Sequence, residues 1–359
     1  MTRRMTPLST RTLTRTLWLR QQLVPGQRSV SGVVPMVAHL LGLQAQDNLP
    51  PYLSLAARID GFRPTDLSER LEDRSLVRFF SMRGTVHVLT ADDALQLRGW
   101  VQPALDRVSG SNQTSRPARH LTTEQLDAVV GPFLGDGARP HTEIGQALAA
   151  AFPDVPEAAL RHVSRERLPL LQVPPRGLWR RSGGVVYAYA DRYLRRPFAE
   201  ADVEDLVLRY LAAYGPATPA DMTKWSMVTR LGPVFTAMAK AGRLVTCPDE
   251  KGRTLYDAPG APLAPEDLPL PVLLLGMYDN VFLSHADRDR IAPEDARKAW
   301  MGVNGGVGST LFLDGLLAGL WRLEDDRIAV EPLRSLSRAE QRALHDEVER
   351  VEAFLATPA

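Results

Sequence analysis

Two glutamines separated by one alanine, Gln44 and Gln46, have the type and spacing to take part in chemistry together. They lie in the stretch HLLGLQAQDNLPPY, between an apolar segment and two prolines. A neutral side-chain amide carries a carbonyl acceptor and an NH2 donor, so two amides could hold a water molecule or place dipoles beside a developing charge. They can do so together only if the backbone turns both to the same side.

The backbone around the two glutamines therefore decides whether they cooperate. On a helix that begins near Pro35, Gln44 would continue an apolar stripe, whereas Gln46 would point about 200° away from it. The prolines at positions 50 and 51 disfavour helical geometry before them, so we expect the chain to leave the helix between Gln44 and Asp47. In extended backbone, residues two apart share a face. Spacing alone leaves open a second interpretation, in which both glutamines only satisfy free carbonyl groups at a helix end.

Other residue types that commonly carry chemistry are scattered. Cys247 is the only cysteine, and the seven histidines show no metal-binding spacing, so we expect no metal site and no cofactor. One cysteine also favours a reducing compartment. The glycine-rich stretch at 303–310 lacks the lysine of a phosphate-binding loop, and we interpret it as a flexible turn.

One acidic cluster follows an apolar segment near the C-terminus. It contains three aspartates and a histidine: Asp279, His285, Asp287 and Asp289. Such a cluster could support acid–base or Mg²⁺ chemistry. Salt bridges with Arg288 and Arg290 are the simpler interpretation.

Length and composition indicate an ordered protein of several units. The chain has 359 residues, of which 44% are hydrophobic and 24% charged, with a net charge of +1. These values give no overall signal for nucleic-acid binding, and the apolar runs are too short to span a membrane. The acid-poor, arginine-rich start could be a transit peptide. However, LTRTLWLRQQL has the pattern of an amphipathic helix, and we expect it to be part of the fold.

Three regions repeat the same order of helices followed by a β-hairpin, at 1–115, 116–198 and 199–260. The first hairpin turns at Arg83–Gly84 and the second at Gly183–Gly184. The third region, with Thr218 as a helix cap, has the order of a winged helix-turn-helix. A proline-rich connection at 258–271 leads to a β-meander and a helix within 261–359. The sequence thus predicts an α+β fold of three tandem winged helix-turn-helix domains and a C-terminal mixed α/β unit.

Basic residues in these units are candidates for contacts with double-stranded DNA, because guanidinium groups match phosphate oxygens. A solvated hairpin explains each of them equally well alone, but basic positions in several winged-helix units favour duplex DNA. The candidates are Arg83, His87, Arg176, Arg180, Arg181 and Lys224.

Nearly the whole chain resembles the bacterial DNA glycosylases of the AlkZ/YcaQ type. The resemblance rests on HLLGLQAQD, SMRGTVHVLTADD, YLAAYGPATPADMTKWS, TLYDAP, YDNVFLSHADR and LFLDGLLAGLWRL. It implies a C-shaped assembly of winged-helix domains that acts as a monomer on damaged duplex DNA, without a cofactor or a membrane. It also implies a bacterial cytoplasmic protein associated with the nucleoid through DNA.

The catalytic signature of that family is Gln-Φ-Gln in one branch and Gln-Φ-Asp in the other, and Gln44-Ala45-Gln46 matches the first. Asp47 follows the signature and does not occupy its third position. The resemblance implies a monofunctional glycosylase with Gln44 and Gln46 as catalytic residues. Its substrates would be N7-alkylated purines and interstrand crosslinks, in repair or in self-resistance to azinomycin-type agents. The alternatives are a non-enzymatic winged-helix regulator with structural glutamines, or a nuclease that uses the three aspartates.

Overall fold

The computed structural model describes residues 7–301 and 308–359, so most of the glycine-rich stretch at 303–310 lies outside the described residues. The α-helices are α1 Thr10–Arg20, α2 Val33–His39, α3 Pro50–Ala56, α4 Pro64–Glu72, α5 Ala91–Ser111, α6 Thr123–Leu134, α7 His141–Ala151, α8 Glu157–Arg167, α9 Ala190–Leu194, α10 Val203–Tyr214, α11 Pro219–Ser226, α12 Gly232–Lys240, α13 Asn280–Leu283, α14 Glu294–Met301 and α15 Arg338–Leu355. The strands are β1 Leu43–Gln44, β2 Leu76–Phe80, β3 Val86–Thr90, β4 Arg139–Pro140, β5 Leu170–Gln172, β6 Val186–Tyr189, β7 Val245–Pro248, β8 Thr254–Asp257, β9 Leu273–Leu275, β10 Ser309–Leu313, β11 Leu316–Glu324 and β12 Arg327–Pro332. The predicted α+β fold is confirmed.

The strands form three sheets in which every named pairing is antiparallel. Their orders are β1-β3-β2-β5-β6-β4, β12-β11-β10-β9 and β7-β8. The first sheet joins the hairpins of two predicted domains, because β2 pairs with β5 and places Phe79 opposite Leu171. The domain ranges 1–115, 116–198, 199–260 and 261–359 remain a prediction, and the six-stranded sheet extends across the first boundary.

The first hairpin turns where the sequence indicates. Between β2 and β3, Arg83 and Gly84 both have positive φ, at 56° and 68°. The prediction of a turn at Gly183–Gly184 is wrong, since residues 173–185 form a long loop between β5 and β6. This loop packs on the first helical region, where the Tyr52 hydroxyl donates a 2.7 Å hydrogen bond to the Gly177 carbonyl.

The third region has the predicted order of α10, α11, α12 and the β7–β8 hairpin. Thr218 caps α11 through a reciprocal pair with Asp221, whose N–H donates to the Thr218 hydroxyl at 3.2 Å. The Asp221 carboxylate accepts from the Thr218 N–H at 2.8 Å. This capping box satisfies two backbone donors that a helix start otherwise leaves free.

Among the described residues, five helices were not predicted from the sequence: α3, α5, α9, α13 and α14. Pro50 and Pro51 occupy the first turn of α3, where the missing proline N–H groups have no intrahelical partner to lose. α5 begins directly after β3, with Thr90 as its cap. Prolines that suggest the end of one helix are therefore the start of another.

The core has one large cluster and smaller ones. α1 belongs to the fold, since Leu17 and Trp18 are fully buried. The second region has a cluster of its own, formed by residues between Ala118 and Tyr189. The four-stranded sheet packs against α15 through a third cluster. No helix among the described residues combines the length and apolar character that a bilayer crossing requires.

Candidate functional site

A chain reversal precedes the two glutamines and sets their direction. α2 ends at His39, and the next turn carries two hydrogen bonds: the Gly42 N–H donates to Val37 O at 2.9 Å and the Leu41 N–H to Ala38 O at 3.1 Å. Leu41 and Gly42 have φ of 52° and 103°. This is the Schellman arrangement that closes helices. The expectation that the helix continues to the Gln44–Asp47 region is therefore wrong.

Gln44 lies on the edge strand β1 of the six-stranded sheet, opposite His87 of β3. The next residue continues the pairing, because the Ala45 N–H donates to Val86 O at 2.7 Å. Gln44 is 7% exposed, whereas Gln46, beyond the end of the strand, is exposed. The structure thus places one amide just below the surface and the other on it.

The orientation of the Gln44 amide follows from its partner. An Arg83 guanidinium nitrogen lies 3.1 Å from Gln44 Oε1, and a guanidinium can only donate, so the atom facing it is the carbonyl oxygen. Among the described residues, none accepts a hydrogen bond from Gln44 Nε2, and this nitrogen is not among the buried polar atoms without a partner. The NH2 group therefore retains access to solvent.

The Gln46 amide is held from the backbone of β3. The Val86 N–H donates to Gln46 Oε1 at 3.4 Å, a long and weak hydrogen bond. The Ala45 carbonyl accepts instead from Arg78, at 2.8 Å. The Gln46 side chain therefore takes the place of a backbone acceptor at the end of the β1–β3 pairing.

His87 is buried and Arg83 is partly buried, and both side chains are engaged in hydrogen bonds within the protein. The Arg83 guanidinium donates to Gln44 Oε1, to His87 Nε2 at 2.9 Å and to the Trp225 carbonyl. His87 is 1% exposed. For the tip of the first hairpin, the sequence left open a phosphate contact or a solvated turn, and the tip packs against α11. Arg83 and His87 thus support the Gln-Ala-Gln segment, residues 44–46.

Burial governs the ionisation of this pair. It lowers the pKa of the Arg83 guanidinium to about 10, which leaves Arg83 protonated at neutral pH. Burial, followed by the charge of Arg83, holds the pKa of His87 well below its usual range. His87 is therefore neutral, and its Nε2 accepts from Arg83 while Nδ1–H donates to Thr85 O at 3.1 Å.

The other DNA-contact candidates lie nearer the surface. Arg180 and Arg181 are exposed, Arg176 is partly buried, and Lys224 is exposed on α11. Arg180 and Arg181 line a cleft of about 620 Å³ whose wall also includes Asn48, two residues after Gln46. The cleft thus brings basic side chains, together with Asp326 and Glu352, to the chain two residues after Gln46.

The acidic cluster forms salt bridges as expected, but the prediction of Arg288 and Arg290 as the partners is wrong: among the described residues these two arginines donate instead to the carbonyls of Phe282 and Pro216. Asp279 is paired with Arg58 through both oxygens, at 2.7 and 2.8 Å, and both side chains are buried. Asp287 and Asp289 share Lys251 as a partner. Within residues 7–301 and 308–359, no group of three or more histidine, cysteine, aspartate or glutamate side chains could hold a metal ion. The three aspartates named in the nuclease alternative are thus paired with arginine and lysine side chains.

Two contributors to the site were missed from the sequence, Arg78 and the Trp225 carbonyl. Arg78 lies in the strand LVRFF, where every residue is buried, so a charged residue inside an apolar strand was the available signal. It donates to the Ala45 carbonyl and, at 3.3 Å, to Gln172 Oε1. Trp225 contributes through its backbone, which leaves no signal in side-chain chemistry.

Known proteins resemble this chain along most of its length. A protein-family model described as "DNA glycosylase AlkZ-like" matches residues 37–354. An interstrand DNA cross-link repair glycosylase from Streptomyces sahachiroi is 24% identical over 350 residues, which cover 93% of this chain and 94% of that protein. The solved structure of Streptomyces sahachiroi DNA glycosylase AlkZ shares the fold, with a TM-score of 0.78 at 20% identity, over 97% of this chain and 98% of that one.

The family match spans most of the chain and includes the Gln-Ala-Gln segment. The predicted resemblance is confirmed, and the non-enzymatic regulator alternative is set aside. The chain belongs to the AlkZ-like DNA glycosylase family and is a DNA glycosylase.

Proposed function

We propose that this DNA glycosylase hydrolyses the N-glycosidic bond of N7-alkylated purines and unhooks interstrand crosslinks made through such purines, with Gln44 and Gln46 as its catalytic residues. The observation that carries the proposal is the pair of amides, two residues apart at the end of an edge strand, whose carbonyl oxygens both accept hydrogen bonds from the protein. The name of the Streptomyces sahachiroi relative supports crosslinked DNA as the substrate.

The chemistry suits neutral amides. A purine alkylated at N7 carries a positive charge, so it leaves readily once the C1′–N9 bond breaks and its electron pair moves into the base. Water forms the new bond at C1′ and releases a proton to solvent. Amide dipoles fixed beside the sugar can hold that water and stabilise the transition state without a strong general acid. We therefore expect little activity on unmodified bases, which are poor leaving groups.

The position of the amides suits a base that cannot swing out freely. Many DNA glycosylases extrude the target nucleotide into a pocket, but a crosslinked base stays tied to both strands. Gln46 is exposed, and the neighbouring cleft bears Arg180 and Arg181. We propose that these arginines, with Arg176 and Lys224, bind phosphates of the duplex. A monomer would suffice, because one chain supplies both glutamines.

A base-release assay tests the proposal. Duplex DNA with a single N7-methylguanine, and a second duplex with an N7-guanine crosslink, are incubated with the protein and then heated in alkali to cleave abasic sites. We expect cleavage at the lesion with the wild-type chain and a loss of about 100-fold or more in Gln44→Ala and Gln46→Ala. Gln341→Ala, on the exposed face of α15, is the matched control and should keep wild-type activity.

The two parts of the proposal fail separately. Wild-type protein that binds both duplexes and releases no base from either contradicts the substrate class. Wild-type rates in both glutamine variants contradict the catalytic assignment. For a role in resistance to azinomycin-type agents, we expect expression of the chain to raise the survival of a sensitive bacterium exposed to such an agent. Equal survival of cells expressing the Gln44→Ala variant would exclude that role for the glycosylase activity.

A further inference from the structure

We propose that Arg83 is a positioning residue that fixes the Gln44 amide with its carbonyl oxygen inward and its NH2 group toward the substrate, so that Gln44 acts as a hydrogen-bond donor. This inference rests on the proposed catalytic role of Gln44. It assigns Arg83 a role in catalysis through Gln44 and not through contact with DNA.

The Arg83 guanidinium donates hydrogen bonds to three acceptors, and we call Arg83 together with these acceptors the clamp. The Arg83 backbone has φ of 56° in the turn between β2 and β3. Its guanidinium meets Gln44 Oε1 at 3.1 Å, His87 Nε2 at 2.9 Å and the Trp225 carbonyl. A planar guanidinium with fixed donor directions can bridge acceptors from three elements at once.

His87 holds the other side of this clamp. Because Arg83 can only donate, His87 Nε2 must accept, and its Nδ1–H donates to the Thr85 carbonyl at 3.1 Å. Thr85 lies in the same turn as Arg83, so the hydrogen bonds return to the segment that carries the arginine. The arrangement leaves Arg83 little freedom to rotate, and the orientation of the Gln44 amide is therefore set before DNA binds.

The orientation has a chemical consequence. The carbonyl oxygen of Gln44 already accepts a charged hydrogen bond, which is stronger than a neutral one, and the group left for the substrate is an N–H donor. When the C1′–N9 bond breaks, its electron pair moves into the purine, so acceptor atoms of the base gain electron density. A donor aimed at such an atom binds the transition state better than the ground state.

Removing the clamp tests the positioning role. We expect Arg83→Met to lower the single-turnover rate of base release from the N7-methylguanine duplex by about 10- to 100-fold, with the Kd for the same duplex unchanged within about twofold. Arg83→Lys should recover part of the rate, because an ammonium group can still donate to one acceptor. Arg107→Met is the matched control. Arg107 donates at 2.8 Å to the Met227 carbonyl, just beyond α11, and does not contact Gln44.

Two further variants separate a positioning role from loss of structure. A double variant of Arg83→Met with Gln44→Met should be no slower than Gln44→Met alone, because Arg83 acts through that amide. Gln44→Glu keeps the size of the side chain and removes the NH2 donor, and we expect it to lose activity although a carboxylate stabilises a cation better. Thermal unfolding of each variant shows whether it is folded.

Each opposing outcome has one meaning. A weaker Kd and a shallower salt dependence in Arg83→Met would identify a phosphate contact and overturn the inference, as would a wild-type rate. Full activity in Gln44→Glu would overturn the donor role. If Gln44→Met is itself fully active, the proposed catalytic assignment fails, whereas an inactive Gln44→Met beside an active Arg83→Met contradicts only the positioning role.

Discussion

The amides of Gln44 and Gln46 are held with different strengths. Gln44 Oε1 accepts from a cationic group at 3.1 Å, whereas Gln46 Oε1 accepts from a backbone N–H at 3.4 Å. Hydrogen bonds to charged groups contribute about 1.5–3 kcal/mol and neutral ones about 1 kcal/mol, less at long distance. We infer that Gln44 stays fixed when DNA binds, while Gln46, which is exposed, can turn toward a water molecule or the sugar.

At the same scale, His87 should matter as an acceptor. We predict that His87→Leu leaves an Arg83 donor unpaired in a buried site and costs about 1–3 kcal/mol of stability. Its rate of base release should fall as well. His87→Gln offers an amide oxygen as the acceptor in place of His87 Nε2, so we expect a smaller loss of stability and a smaller loss of rate than in His87→Leu. Urea denaturation and single-turnover base release measure the two effects, and a His87→Leu variant equal to wild type in both would show that the clamp does not need this acceptor.

At the scale of elements, the helix end before β1 determines where the glutamines lie. The Schellman turn at Leu41–Gly42 reverses the chain, and β1 then pairs with β3 so that Gln44 faces His87. Two features of the structure favour glycine at position 42. Its φ is 103°, and a Cβ atom there would lie 2.5 Å from Leu89 Cδ2. This close approach of the turn to β3 brings Gln44 within reach of Arg83.

We therefore predict that Gly42→Ala destabilises the protein more than Gly61→Ala does. Gly61 has a similar positive φ of 71° with open space around it, so its substitution costs only the backbone term of about 1 kcal/mol. At Gly42 the contact with Leu89 adds about 1–3 kcal/mol. Urea denaturation of both variants measures the difference, and base release should fall in Gly42→Ala alone. Equal losses of stability would mean that the turn can shift without cost.

At the scale of the whole molecule, buried ion pairs connect distant regions of the chain. Arg58 joins Asp279 of the C-terminal region, with both side chains buried. Arg20 joins Asp257 of β8 at 2.8 Å. Breaking such a pair leaves an uncompensated buried charge, at a cost of about 3–5 kcal/mol. The edge strand that carries Gln44 thus belongs to a scaffold held together by residues more than two hundred positions apart.

Buried histidines make the stability of this scaffold depend on pH. Burial lowers the pKa of His285 to about 3 and that of His87 well below the usual range, and His39 and His162 shift in the same direction. Below the unfolded pKa of about 6.5, the unfolded chain binds protons that the folded chain does not. The contribution of these neutral histidines to the free energy of unfolding is therefore complete above this pH. It is lost as the pH falls from about 6.5 toward 3.

We predict that, below a pH of about 6.5, each such histidine lowers the free energy of unfolding by up to about 1.4 kcal/mol for each unit by which the pH falls. Urea denaturation at pH 7.5, 6.5 and 5.5 measures it. His285→Gln should reduce the decline, whereas His345→Gln, on the exposed part of α15, should leave it unchanged. A free energy of unfolding that stays constant from pH 7.5 to 5.5 would contradict the prediction.

Local patterns in the sequence were sufficient for much of the architecture. Helix caps such as Thr218, the Arg83–Gly84 turn and the order of helices and hairpins depend on neighbouring residues, whose preferences act over a few positions. The same locality explains two errors. Pro50 and Pro51 are compatible with the start of a helix as well as with the end of one. Helix α2 ends instead at the chain reversal of Leu41–Gly42, which is stabilised by the pairing of the following strand with β3.

The sequence by itself also determined the family, because the Gln-Ala-Gln segment and its companion motifs are contiguous strings. Only the tertiary structure decided which way each amide faces and that Arg83 and His87 make hydrogen bonds with each other and with the protein. Those outcomes depend on pairings between residues far apart, such as Arg83 with the Trp225 carbonyl and Arg78 with the Ala45 carbonyl. Directional hydrogen bonds between distant segments exist only once the chain has folded, so the spacing of residue types along the chain does not encode them.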